Sequence, residues 1–145
     1  MRKEFSNAWK SSTQPRKQRK FRHNAPKHIK QKFMSSHLSK ELRKKYSRRS
    51  IVLRKSDKVL ITTGQHKGKT GKIDRVDTKN EAVYITGIDF TKKEGSKVMF
   101  KFHPSNLVIL ELNLDDKKRL KKLEKNRDNK QKDTAKNAKT KESKK

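Results

Sequence analysis

Between residues 57 and 114 the chain carries five short runs rich in β-branched and aromatic residues, set apart by turn signals. The runs are DKVLITTG, GKTGKIDRVD, EAVYITGI, KVMFKF and NLVILEL; Gly64 to Gly71, DTKNE, KKEGSK and HPSN separate them. Short runs of this kind at roughly ten-residue spacing predict a small all-β barrel or sandwich. Alternation sets Val83 and Ile85 on one face and Tyr84 on the other. It likewise sets Val98, Phe100 and Phe102 against Met99 and Lys101. NLVILEL is apolar almost throughout, which suits a strand buried on both sides or one that closes a barrel. No helical pattern lies between the runs to supply the crossovers of a parallel sheet. A module of about 57 residues buries only roughly 60% of its unfolded surface, so a partner is expected to complete its burial.

Charge is distributed the opposite way. Residues 1–57 hold 19 basic and 3 acidic residues, 58–114 hold 10 and 6, and 115–145 hold 14 and 6, for a net charge of +28. Charge so one-signed destabilises a free compact state by self-repulsion, and phosphates relieve it; the expected partner is a nucleic acid. Other classes drop out. No run approaches the roughly 18–20 apolar residues of a membrane span, and no secretory apolar region opens the chain. There is no cysteine, which removes disulfides, zinc fingers and thiolate chemistry.

The flanks have local order of their own. Residues 1–24 read as a basic N-terminal extension with Phe5, Trp9 and Phe21 isolated in it. Residues 25–50 read as short RNA-binding helices. The first is NAPKHIKQKFM, with Asn24 or Ala25 at the cap, Pro26 in the first turn, and Ile29, Phe33 and Met34 on one face. The second is SSHLSKELRKKY, capped by Ser36 or Ser39, with Leu38, Leu42 and Tyr46 at i, i+4 and i+8. Residues 51–114 form the barrel. Residues 115–127 read as a C-terminal helix that Asp115 and Asp116 open with favourable charge and that Leu120 and Leu123 stripe. Residues 128–145 have the composition of a disordered basic tail.

Catalytic constellations are missing. The five histidines, His23, His28, His37, His66 and His103, are scattered and show no i, i+4 pair with an acidic neighbour, and no metal-ligand spacing appears. Asp74 and Asp77 are placed to pair with Lys72, Arg75 or Lys79. The sequence therefore predicts no enzyme, no cofactor and no metal. GQHKGKTGK lacks the spacing of a phosphate-binding P-loop. Its glycines Gly64, Gly68 and Gly71 still allow tight turns and close backbone approach, with His66, Lys67 and Lys69 between them. Such a hairpin suits a nucleic-acid backbone.

DKVLITTGQHKGKTGKIDRVD with AVYITGI resembles a KOW motif, the RNA-binding element of translation-type SH3-like barrels, over residues 58–88. NAPKHIK, SSHLSKELRKKY and FHPSNLVILELNLDDKKRLKKLEKN extend the resemblance over residues 13–127. In full it is to the archaeal and eukaryotic branch of large-subunit ribosomal protein twenty-four, called twenty-six in eukaryotes. The resemblance implies a mainly β fold: a small SH3-like barrel with short helices in a basic N-terminal extension, a C-terminal helix and a disordered lysine-rich tail. It implies a cytoplasmic structural constituent of the large ribosomal subunit. Such a protein binds large-subunit rRNA near its 5′ end, helps early assembly and lies near the nascent-chain tunnel exit. Its partners would be that RNA and neighbouring ribosomal proteins, with no membrane span and no homo-oligomer. Carried onto this chain, the RNA contacts are Arg16, Lys17, Arg19, Lys20 and Arg22; His28 and Lys30; Arg43, Lys44, Lys45, Arg48 and Arg49; and His66, Lys67, Gly68, Lys69 and Gly71. Phe21, Trp9 or Phe33 would stack on unpaired bases, a contact worth roughly 1–3 kcal/mol, or, as favoured for Phe33, pack against the barrel. The alternative class is a KOW-type transcription elongation or regulatory RNA-binding protein, which would need a companion domain before the motif. A packaging protein that binds duplex DNA is a further alternative.

Overall fold

In a computed structural model, residues 5, 6, 8, 9 and 11–124 are described. The expected tail at 128–145, and residues 125–127 of the expected C-terminal helix, lie outside them. In chain order the elements are α1 (Pro15–Asn24), α2 (Lys27–Phe33), β1 (Ser35–Leu38), α3 (Lys40–Tyr46), β2 (Ser50–Val52), β3 (Lys58–Ile61), β4 (Thr70–Asp77), β5 (Ala82–Ile85), β6 (Asp89–Thr91), β7 (Lys97–Met99), a 3-10 turn (Pro104–Asn106) and β8 (Leu107–Glu111). A helix over 117–124, here α4, follows.

Six strands form one sheet in the order β2-β1-β8-β3-β4-β5. The run β8-β3-β4-β5 is antiparallel throughout. Register shifts between Lys58 and Val59 and between Ile73 and Arg75 bend β3 and β4, as extra residues in a ladder do. Closure comes from the chain just ahead of β8. Val83 and Phe102 exchange both backbone hydrogen bonds, at 2.8 and 2.9 Å, so the free edge of β5 is tied to the segment that runs into β8. The result is a small SH3-like barrel, mainly β as expected. Val59, Ile61, Ile73, Val83, Ile85, Leu107 and Ile109 fill it, each 2% exposed or less.

Several local expectations change. SSHL belongs to a strand, not to a helix: β1 alternates half-buried and buried residues, and Ser36 donates its hydroxyl to the Leu107 carbonyl. The helix starts at Lys40, and of the two expected caps it is Ser39 whose oxygen accepts from the Leu42 amide. α2 starts at Lys27 with Pro26 at its cap position, two residues later than Asn24 would allow. Its C-terminal neighbour Met34 is fully buried in the core.

β1 also runs parallel to β8. No helical crossover was needed, because the whole barrel between Leu38 and Leu107 serves as the connection. All of Ala82–Ile85 is buried. Tyr84 therefore has no solvent face; the Arg75 guanidinium covers it at 4.4 Å. The KVMFKF run splits: Val98 joins a separate two-stranded hairpin with Phe90, and Phe102 closes the barrel.

α4 is fastened from inside. Leu123 is fully buried in the core cluster. Arg119, 5% exposed, meets the fully buried Asp57 with two hydrogen bonds of 2.7 Å.

Candidate nucleic-acid interface

α1 presents its cations to solvent because nothing on it is buried. Arg16, Lys17, Arg19, Lys20 and Arg22 are all exposed. The helix is held at one spot by rings: Phe21 lies 4.3 Å from Trp9 in a stacked pair, 4.9 Å from Phe5 and 6.2 Å from Phe33. Of the aromatics expected to stack on bases, Trp9 and Phe21 stack on each other, and Phe33 meets Phe21 in a tilted contact. A second fastening is ionic, with Arg22 Nη1 3.8 Å from Glu81 Oε2 in the β4–β5 turn.

The KOW loop joins β3 to β4. Ile61 fixes its base: its carbonyl accepts from the Gly68 amide at 2.9 Å, and its amide donates to the Lys69 carbonyl at 3.0 Å. Gly68 sits at φ +85, backbone that favours glycine. Lys67 and Lys69 are exposed, and His66 is half-buried with its ring 5.0 Å from Phe100 and 6.0 Å from Phe102. Gly71 is not in the loop. It lies in β4, and an added Cβ there would come 2.5 Å from Ile85 Cγ2, so close packing against β5 already accounts for this glycine.

The chain from Phe100 to His103 links these two groups. Phe100 and Phe102 carry His66, and the next residue, His103, places Nε2 3.7 Å from the same Glu81 carboxylate that receives Arg22. α1 and the KOW loop therefore share one support. The third group stands elsewhere, on α3 beside β1. Lys44 and Lys45 are exposed. Arg43 Nε donates to the Leu38 carbonyl at 2.7 Å, and Arg48 Nε to the Ser50 carbonyl at 2.8 Å, so both have structural duties besides their charge. Arg49 is exposed. On α2, His28 is exposed and Lys30 half-buried.

Asp77 and Asp116 stabilise a turn and a helix start. Asp77 accepts from Asn80 Nδ2 at 2.7 Å and from the Lys79 and Asn80 amides. These bonds, the Asn80 side chain first, hold its carboxyl below the usual value. Asp74 pairs with Lys55 at 3.6 Å, not with Lys72, Arg75 or Lys79. The Lys118 amide and then Arg54 lower Asp116 in the same way. Among the described residues no cluster of three histidine, cysteine or carboxylate side chains could hold a metal ion, and no helix is long and apolar enough to cross a membrane.

A small β-barrel flanked by exposed lysines and arginines, with several of its few carboxylates held in turns and ion pairs, defines a basic module suited to a polyanion. The model of the eukaryotic L26 and archaeal L24 ribosomal proteins matches residues 12–126, and the chain belongs to that family. It is thus a ribosomal structural protein, not an enzyme. It is similar to the large ribosomal subunit protein uL24 of Methanosphaera stadtmanae, 46% identical over 108 residues, 74% of this chain and 92% of the relative. It is similar also to that of Methanospirillum hungatei, 45% identical over 112 residues, 77% of this chain and 93% of the relative.

Proposed function

We propose that this chain is a structural constituent of the cytoplasmic large ribosomal subunit, bound to its rRNA near the 5′ end. It helps early assembly of the subunit and lies near the exit of the nascent-chain tunnel, against neighbouring ribosomal proteins. Contacts are to backbone and shape more than to bases, because A-form RNA hides its base edges in a deep, narrow groove. The contact residues are the exposed cations of α1 and α3, His28 and Lys30 of α2, Arg48 and Arg49, and the KOW loop from His66 to Lys69, with Gly71 setting how closely β4 and β5 approach behind it. The labour divides as the sequence does: 1–24 and 25–50 reach RNA, 51–114 is the platform, and 115–127 and 128–145 add basic reach.

One observation carries this reading. A ten-residue helix with five lysines and arginines buries none of its residues, and among the described residues only Arg22 of the five meets a carboxylate, that of Glu81. The test is sedimentation of the chain in cell lysate at low and high salt. Salt-resistant co-migration with large subunits is expected, because many simultaneous phosphate contacts outlast a wash that strips loosely bound basic proteins. A chain that stays at the top of the gradient, or travels with RNA polymerase, overturns the reading in favour of an elongation-type protein.

A further inference from the structure

A groove of about 1090 Å³ opens between α2, the residues on either side of β2, β4 and α4. Neither α1 nor the KOW loop contributes to it. Its inner lining is apolar: Met34, Ile51 and Leu53 are buried, and Val52 and Val76 half-buried. Eight lysines and arginines line it against three aspartates. Two of those aspartates are already taken, Asp74 by Lys55 at 3.6 Å and Asp116 by Arg54. The remaining cations leave the groove with net positive charge, which favours an occupant that brings acceptors and negative charge.

The chain cannot supply that occupant itself. Residues 125–145 carry nine lysines and arginines against three acidic residues, and a second copy brings a further +28. Both have the wrong sign. The apolar lining discriminates among polyanions. A duplex offers only phosphates to such a groove, with its bases turned inward, whereas an unpaired strand offers base faces as well. The volume is just above the roughly 300–1,000 Å³ of small-molecule sites, room for a few nucleotides. We propose that this groove binds an unpaired RNA strand, with bases against Val52 and Val76 and phosphates on Lys32, Lys55, Lys118 and Lys122. The inference rests on the RNA-binding reading above; it shares His28 and Arg48 with that reading and adds the groove between them and α4 as a site. Lys118 and Lys122 lie on α4, so the Asp57–Arg119 pair that fastens this helix also sets the width of the groove.

The experiment is fluorescence anisotropy of the full chain with a labelled oligouridine and with a labelled RNA duplex of equal length. K32A/K118A/K122A is compared with the control K92A/K93A/K97A, which removes the same charge from the β6–β7 hairpin. All six lysines are exposed, and unchanged melting temperatures verify that the fold is kept. The groove variant is expected to lose at least about tenfold in affinity for oligouridine and far less for duplex, while the control loses little for either. Equal losses in the two variants overturn the proposal, because bulk charge would then explain both. Polyglutamate that competes as well as oligouridine at matched charge also overturns it, in favour of an acidic polypeptide. Wild-type chain that binds neither RNA at low salt overturns the RNA-binding reading itself, an outcome separate from the others.

Discussion

The Asp57 carboxylate has no contact with solvent, yet four donors converge on it. The Arg54 amide and Arg119 Nη2 reach Oδ2, and the Asn113 amide and Arg119 Nη1 reach Oδ1, all within 2.9 Å. Arg119 also donates to the Asn113 and Val52 carbonyls. Enclosing two charges costs several kcal/mol per ion, and such a pair breaks even only when further hydrogen bonds of this kind support it. Removing one member leaves the other enclosed and uncompensated. Asp57→Ala and Arg119→Ala are each expected to destabilise the fold by about 3–5 kcal/mol, read as a shift in the urea midpoint. The double variant Asp57→Leu with Arg119→Met should lose much less than the two single losses added together. The pair was not legible beforehand. Asp57 looks like a turn residue ahead of β3, and Arg119 looks like one more solvated cation. The available signal is that Arg119 is the only arginine among four lysines in 115–124, and only arginine offers a planar fork for a bidentate carboxylate.

Among the elements, β3, β4, β5 and β8 could be read from alternation and turn chemistry, because each is bounded by Gly, Asn, Asp or Pro and each buries one face or both. β1 could not. Leu38, Leu42 and Tyr46 satisfy a helical spacing perfectly well, and it is pairing with β2 on one edge and β8 on the other that makes the first part a strand. The β8 contact of Ser36 lies 71 residues away, beyond any local window. The exposed cations of α1 and of the KOW loop were legible as candidates, since charge density survives any detail of the fold. The groove lined by Lys32, Lys55 and Lys118 was not, because four distant segments build it. α4 has an acid-sensitive start. The Asp116 carboxylate accepts from the Lys118 amide at 2.8 Å and pairs with Arg54, which holds its pKa below the ordinary 3.8. A lowered folded pKa means stability that is present above 3.8 and is lost as pH falls through the lower, folded value. Taking the chain from about pH 6 to about pH 3 should lower its melting temperature. Asp116→Asn keeps an oxygen for capping but does not titrate, so its melting temperature should fall less over the same interval.

At the scale of the whole molecule, charge dominates. Residues 1–24 hold eight of the 43 lysines and arginines and a single glutamate, and α1 leaves its share in solvent. Each phosphate contact contributes roughly 0.7–0.9 to the slope of log affinity against log salt. Deleting residues 1–24 should therefore flatten that slope by several units in an anisotropy titration on folded rRNA fragments. A slope unchanged by the deletion would mean that the arm does not touch phosphate.

The parallel pairing of β1 with β8 has a consequence in time. A polypeptide is made from its N-terminus, so β1 exists long before its partner. Until Leu107–Glu111 is in place, Ser35–Leu38 has β2 on one edge and nothing on the other, and Met34 and Leu38 have no completed core to enter. Long-range pairing of this kind is slow and leaves open strand edges. Whatever grips the basic arm during synthesis holds a chain whose sheet is still incomplete, and polyanion capture and folding then run concurrently, with neither waiting for the other.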